Sequence, residues 1–174
     1  TPAVIDSLEM GFIPNSSRTR YKKADEPDFD IDFLTSRGRT SDAPVLIPRF
    51  NLKLQPLRFM ELSLQDPMRC TLLSRSGPVV VNLPRPERYA LHKLLVFGER
   101  VQAQRVKAMK DLAQSAALVD YLLEYDAAAL AQIWLDIQTR GPGWRQRMAH
   151  GFKALETSYS ALHFEDRVQR LLAQ

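Results

Sequence analysis

Hydrophobic and polar positions change their period once along this chain. Up to about residue 83 the apolar runs are short and broken by turn residues. After Pro84 they recur every three or four residues. A period of two describes a strand with one buried face, and a period near 3.6 describes a helix. The first part therefore predicts strands and the second helices. Residues 1–10 predict a short helix, with Thr1 as cap, Pro2 in the first turn and Gly11 as its end. Phe12 and Ile13 begin a short strand before the turn Pro14-Asn15-Ser16-Ser17. Phe29, Ile31 and Phe33 alternate with Asp28, Asp30 and Asp32. That alternation predicts a strand with three carboxylates on one face and its apolar residues toward a core.

Further β-like runs lie at 45–47, 50–54, 59–64, 70–73 and 79–83, parted by Pro48, Pro56, Asp66-Pro67 and Gly77-Pro78, as in an antiparallel meander. The helical part starts with residues 86–97, where Tyr89 or Ala90, with Leu91, Leu94 and Leu95, face inward and Gly98 breaks the helix. A long helix over 100–124 has Val106, Met109, Leu112, Ala113, Ala116, Val119 and Leu123 on its inner stripe. Asp126 caps a third helix, Gly141-Pro142 opens a fourth, and residues 162–172 close the chain with a fifth. Strands followed by helices, without alternation, imply an α+β fold. The expected domains are a β-rich one over 1–83 and a helical one over 84–174.

Composition removes several classes of function. With 174 residues, 45% hydrophobic and 25% charged, the chain can bury a core and is not disordered. No run of 18 apolar residues occurs, so no membrane-spanning helix is expected. The single cysteine, Cys70, excludes an internal disulfide and a Cys-rich zinc module. It implies a reducing compartment, the cytoplasm. The chain begins Thr-Pro-Ala without a signal-peptide pattern, which reads as an internal start.

Charge adds direction. The net charge is +4, and it is unevenly spread. Residues 1–33 hold seven acids and four bases, whereas residues 85–110 hold seven bases and two acids. Carboxylates followed by basic helices suit a metal–phosphate site, although charge runs of this kind also form ordinary solvated surfaces. Asp28, Asp30 and Asp32 on one face are either wet or offset by a divalent metal. Lys107 and Asp111 stand four apart and can pair on a polar helix face. His92, beside Lys93, reads either as a helix-packing residue, the more common case without a metal-ligand partner at i+4, or as a nucleotide contact. Trp144 reads either as core or as a base-stacking residue in an exposed basic loop.

Four blocks in order, FDIDFLT, LQPLRFMEL, GPVVVNLPRPERYALHKLLVFGER and KAMKDLAQSAALVDYL, resemble a bacterial nucleotidyltransferase family of the polymerase-β-like superfamily. The resemblance spans roughly residues 5–150. It implies a nucleotidyltransferase-type mixed or antiparallel sheet followed by an all-helical bundle. It further implies magnesium, a nucleoside triphosphate and an acceptor hydroxyl on RNA, protein or a small molecule. In the superfamily a Gly-Ser turn and an Asp-x-Asp pair precede a third carboxylate on a later strand. Asp32 is the best match to that third carboxylate and Asp30 the second. The resemblance implies Asp32 as catalytic, with Asp30 and Asp32 as metal ligands, and Lys93, Lys107 and Lys110 as phosphate-binding residues. No Gly-Ser followed by Asp-x-Asp occurs upstream of the acidic strand, so the chain is expected to be an inactive C-terminal portion. The alternative is a non-catalytic nucleotide- or partner-binding module, of the kind found among nucleotidyltransferase-like toxins of toxin–antitoxin systems.

Overall fold

The computed structural model describes residues 11–26, 28–37, 41–100 and 102–173; the expected helix at 1–10 lies outside them. The chain divides into two compact units, one ending at Glu61 and the other beginning at Leu62. That is a division by compactness, whereas the change of period near Pro84 is one of secondary-structure type. Strands first and helices afterwards make the fold α+β.

The first unit holds two small sheets. In one, β1 (Phe12–Pro14), β2 (Arg20–Lys23) and β3 (Asp30–Asp32) run antiparallel in that order. In the other, β6 (Leu52–Leu57) is central. Its first half pairs antiparallel with β5 (Val45–Ile47), and its second half pairs parallel with β4 (Leu34–Ser36). The parallel pair makes this sheet mixed, one of the two forms that the resemblance implies. Pro56, which has no N–H to donate, falls in the half of β6 that has already left β5. Phe33 joins the sheets. Its N–H donates to Thr19 O at 2.8 Å, and its own carbonyl accepts from Gln55 N at 2.7 Å.

Residues 59–64, expected as a strand, form the helix α1 (Met60–Leu64) instead. Phe59 takes φ +63°, which ends the extended chain, and Met-Glu-Leu-Ser-Leu contains no β-branched residue to hold a strand. In the second unit, β7 (Met68–Ser74) and β8 (Gly77–Leu83) form a hairpin around Arg75-Ser76. Gly77 has φ +112°, a conformation that only glycine adopts without strain.

Five helices follow: α2 (Pro86–Glu99), α3 (Arg105–Tyr125), α4 (Ala127–Thr139), α5 (Pro142–Ser158) and α6 (Phe164–Leu172). Pro86 and Pro142 occupy first turns, where the missing N–H costs nothing. Asp126 ends α3 and caps α4, its carboxylate accepting from Ala129 N at 3.3 Å. Leu91, Leu94, Leu95, Leu112, Val119, Leu130, Ile137, Met148 and Leu155 form the core. Trp134, Phe152 and Phe164 meet at ring-centroid distances of 5.3–5.7 Å and tie α4, α5 and α6 together.

Two expectations about these helices are corrected. Gly98 does not break α2, which runs through it to Glu99. A Cβ at Gly98 would lie 2.9 Å from the carbonyl carbon of Arg147, so the glycine is where α5 passes backbone to backbone. In α3, Val106, Met109 and Ala113 face solvent, while Ala108, Asp111 and Ser115 are buried. The helix is rotated because both polar residues find partners inside. Ser115 Oγ donates to Ala90 O at 2.9 Å, and Asp111 takes part in the ion pairs described below.

Candidate functional site

The acidic strand β3 is short, three residues, and lies beside β2 with Arg20 opposite Asp32 and Lys22 opposite Asp30. Alternation puts Arg20, Lys22, Asp30 and Asp32 on one face. Tyr21, 1% exposed, points the other way and meets Phe33 edge-on at 5.7 Å. Asp30 and Asp32 thus share a face, as their spacing predicts. Asp28 does not share it, because it precedes the strand in a turn. Phe29 is 49% exposed and is not core; its ring lies 6.0 Å from that of Phe12.

Two carboxylates two residues apart repel each other, and here a guanidinium answers both. Arg20 donates to Asp30 Oδ2, and its Nε stands 3.5 Å from Asp32 Oδ1. The hydrogen bond to Asp30 holds the Arg20 pKa above its ordinary value against the opposing pull of desolvation, and the charge of Asp32 adds to it. Asp30 is the more enclosed carboxylate and Asp32 the more exposed. On the same sheet a recess of about 330 Å³ is lined by Asn15, Arg20, Lys22 and Lys23, with Ile13, Pro14 and Ala24. Lys23 there is engaged by Glu26 and, at 3.7 Å, by Asp25. Arg20 is common to the recess and the carboxylate face. It was not singled out from sequence, although Arg-Tyr-Lys-Lys has the same period of two as Asp-Ile-Asp with the opposite charge.

Oxygen donors of this kind suit magnesium, which takes six in near-octahedral geometry. Their number falls short. Among the described residues no group of three or more His, Cys, Asp or Glu side chains could hold a metal ion. Asp30 and Asp32 therefore fit as part of a magnesium site and not as the whole.

The expected phosphate-binding lysines lie in the second unit and are not alike. Lys93, on α2, directs its ammonium to the buried Asp111 of α3, at 2.9 Å from Oδ1. Arg100 Nε reaches Oδ2 of the same carboxylate at 2.6 Å. Lys93 also lies 5.0 Å from the centroid of the Tyr89 ring. Burial pulls the Lys93 pKa down, but Asp111 and Tyr89 outweigh it and the net shift is upward. Asp111 thus pairs with Lys93 and Arg100, not with Lys107. Lys107 and Lys110 are exposed. His92 is buried on α2, as a packing histidine would be. Trp144 is half-buried beneath Arg140, whose guanidinium carbon stands 4.3 Å from the ring centroid.

The family model described as nucleotidyltransferase matches residues 1–139. This chain belongs to the nucleotidyltransferase family. The match takes in the carboxylate strand and the Lys93–Asp111–Arg100 cluster, and it stops at the last residue of α4. No curated protein and no solved structure matches this nucleotidyltransferase-family chain. No helix of the described residues is long and apolar enough to cross a membrane.

Proposed function

We propose that the chain serves magnesium-dependent transfer of a nucleotide from a nucleoside triphosphate to an acceptor hydroxyl, with Asp32 as the catalytic carboxylate. The observation that carries this reading is the placement of Asp30 and Asp32 on one face of β3, beside a recess that Arg20 and Lys22 line. In such a transfer the acceptor oxygen bonds to the α-phosphorus and the bond to pyrophosphate breaks. The hydroxyl proton leaves to a base. Asp32 is the more exposed carboxylate, and in this reading it takes that proton. Magnesium, held in part by Asp30 and Asp32, would neutralise charge on the phosphates. Arg20 pairs with both carboxylates and orients them, and Lys22 offers a cation to phosphate oxygens at the recess.

Replacing Asp32 by Asn tests the assignment. In a protein active toward labelled nucleoside triphosphates, D32N should lower transfer by about 10²–10³-fold, as loss of one preorganised charged group does elsewhere. Its melting temperature should not change, because Asp32 is exposed. Full activity in D32N would make Asp32 an ordinary strand residue. The guanidinium that already balances the two carboxylates favours a second reading, a non-catalytic nucleotide-binding module. That reading is upheld if nucleotide binds, R20A abolishes binding, and no transfer is seen.

A further inference from the structure

Arg88 is the one half-buried cation among the described residues that meets no counter-charge. The others face carboxylates, as Lys93, Arg100, Arg140 and Arg147 do, or, for Arg167, the carbonyl of Leu123 at the end of α3. Arg88 Nη1 donates only to the neutral Gln65 Oε1, at 3.1 Å. Its Nε is closed off from water and has no acceptor among the described residues. Arg88 also stands in the first turn of α2, the helix end at which the dipole disfavours a cation. An enclosed charge without a partner costs stability, so an anion from outside the described residues is the natural complement.

The surroundings are basic as well. Gln65 Oε1 accepts a second bond, from Arg140 Nη2 at 3.2 Å. Arg140 is held in place over the Trp144 ring and by Asp136 at 2.7 Å. Arg85 Nε lies 2.8 Å from Asp66 Oδ2, one residue beyond Gln65. Arg145, exposed, donates to Arg140 O at 3.0 Å. Four arginines and two carboxylates thus gather around one amide oxygen. Two guanidinium groups on a single oxygen is how phosphate is gripped, and a charged oxygen in that place makes each bond roughly twice as strong as a neutral one. The Gln65 side chain is exposed and can swing aside.

The shape of the basic surface narrows the anion. From Thr139 to Leu155 the sequence holds no acid. On α5, Arg145, Gln146, Ala149 and Lys153 are exposed. At 100° per residue they fall within about 100° of arc, and the two cations stand about 12 Å apart along the helix. A lone phosphate would engage the arginine pair and leave this track unused. A chain of phosphodiesters engages both, and a track one helix wide suits one strand.

We infer that Arg88 and Arg140 grip a phosphodiester of a single-stranded nucleic acid, with Gln65 giving way to it, and that the strand runs on along α5 past Arg145 toward Lys153. On the transfer reading above, on which this last step alone rests, the strand is the molecule that carries the acceptor hydroxyl.

Fluorescence anisotropy of a labelled oligouridylate about 12 nucleotides long, with the full chain and neither magnesium nor triphosphate, is the test. Micromolar binding is expected at about 50 mM salt, falling with a log–log slope of about −2 to −3, as three or four phosphate contacts to a single strand require. R88A should weaken binding about tenfold or more without lowering the melting temperature, because the charge removed had no partner. Q65E places a carboxylate between Arg88 and Arg140, so it should raise the melting temperature and weaken the strand at least as much. K153E should weaken it several-fold. Absence of binding overturns the proposal, as does binding indifferent to R88A and Q65E, or an R88A variant that melts lower, which would make Arg88 structural. Inorganic phosphate or polyglutamate that displaces the oligonucleotide at equal charge concentration, with K153E indifferent, would mean a site for any anion and overturn the strand. The assay has no transfer step. Missing transfer activity would therefore sink the transfer reading and leave the docking result standing, whereas an R88A variant that binds normally overturns the docking surface and leaves that reading untouched.

Discussion

Replacing Gly151 by Ala sets two effects of opposite sign against each other. In the interior of a helix, alanine is worth about 1 kcal/mol more than glycine, so propensity alone predicts a gain. Gly151, however, is buried where α5 crosses α2. A methyl group there would lie 2.8 Å from the carbonyl carbon of Leu94 and closer still to its oxygen. Carbon atoms sit comfortably at about 3.5–4.0 Å, so the helices would have to part by about 1 Å. The obstacle is backbone, which cannot rotate away as a side chain can. Overpacking of this kind costs typically 1–3 kcal/mol, and the rigid obstacle places it toward the upper end. The net expectation is a loss of about 1–2 kcal/mol, or about 5–10 °C in melting midpoint for a unit of this size. Thermal unfolding followed by circular dichroism reads the change. Gly143→Ala is the control, since that glycine begins the same helix with nothing within 4 Å of its added Cβ. It should leave stability unchanged or raise it. The reasoning is refuted if Gly151→Ala is as stable as Gly143→Ala. Gly98→Ala should behave like Gly151→Ala, and the double variant should cost less than the two added, because one separation of the helices relieves both clashes.

Asp111→Asn should be among the most damaging polar substitutions in the second unit. It leaves Lys93 and Arg100 facing a neutral amide, with an expected loss of about 2–3 kcal/mol in chemical denaturation, below the full cost of breaking a wholly buried pair because both cations are partly exposed. The same pair gives a pH signature. The Lys93 pKa is raised in the folded chain above the ordinary lysine value of about 10.4, so its contribution is complete below that pH and is lost as pH rises through the folded value. The stability difference between wild type and Asp111→Asn should therefore hold steady from neutral pH to about 10 and shrink above it; a difference that shrinks between pH 6 and 8 would mean another group is responsible. Magnesium should bind the chain no more tightly than millimolar, the strength of a mostly hydrated carboxylate site. Micromolar binding by calorimetry would mean that Asp30 and Asp32 have further ligands.

The acidic strand was legible because its period of two is carried by charge, and charge alternation survives even on a strand of three residues. The caps at Asp126 and Gly141-Pro142 were legible because their chemistry is local. What escaped the sequence depended on partners far along the chain. Asp111 and Ser115 look like solvent-facing residues until Lys93, Arg100 and Ala90 are brought to them, and that misreading carried Val106, Met109 and Ala113 to the wrong side of α3. Gly98 looks like a helix stop until the backbone of α5 passes it. Residues 59–64 have an apolar pattern too short for period to separate a strand from one turn of helix. Arg20 was missed for a related reason: its role exists only in the register between β2 and β3.

The parallel pairing of β4 with β6 has a consequence for the order of events as the chain folds. β5 and β6 are neighbours joined through Pro48–Phe50 and can associate early, since little chain must be closed between them. β4 is separated from its partner by the whole of that ribbon, and closing roughly 20 residues costs about 3 kcal/mol of chain entropy before any hydrogen bond is made. Phe33, hydrogen-bonded to Thr19 on one side and to Gln55 on the other, is then the last stitch between the sheets. Pulsed amide exchange during refolding should accordingly protect Leu54 before Gln55, whose N–H waits for Phe33; simultaneous protection would show that the sheets assemble in one step. The face that carries Asp30 and Asp32 is thus set by the local register of β2 and β3, and only its attachment to the mixed sheet waits for the downstream ribbon.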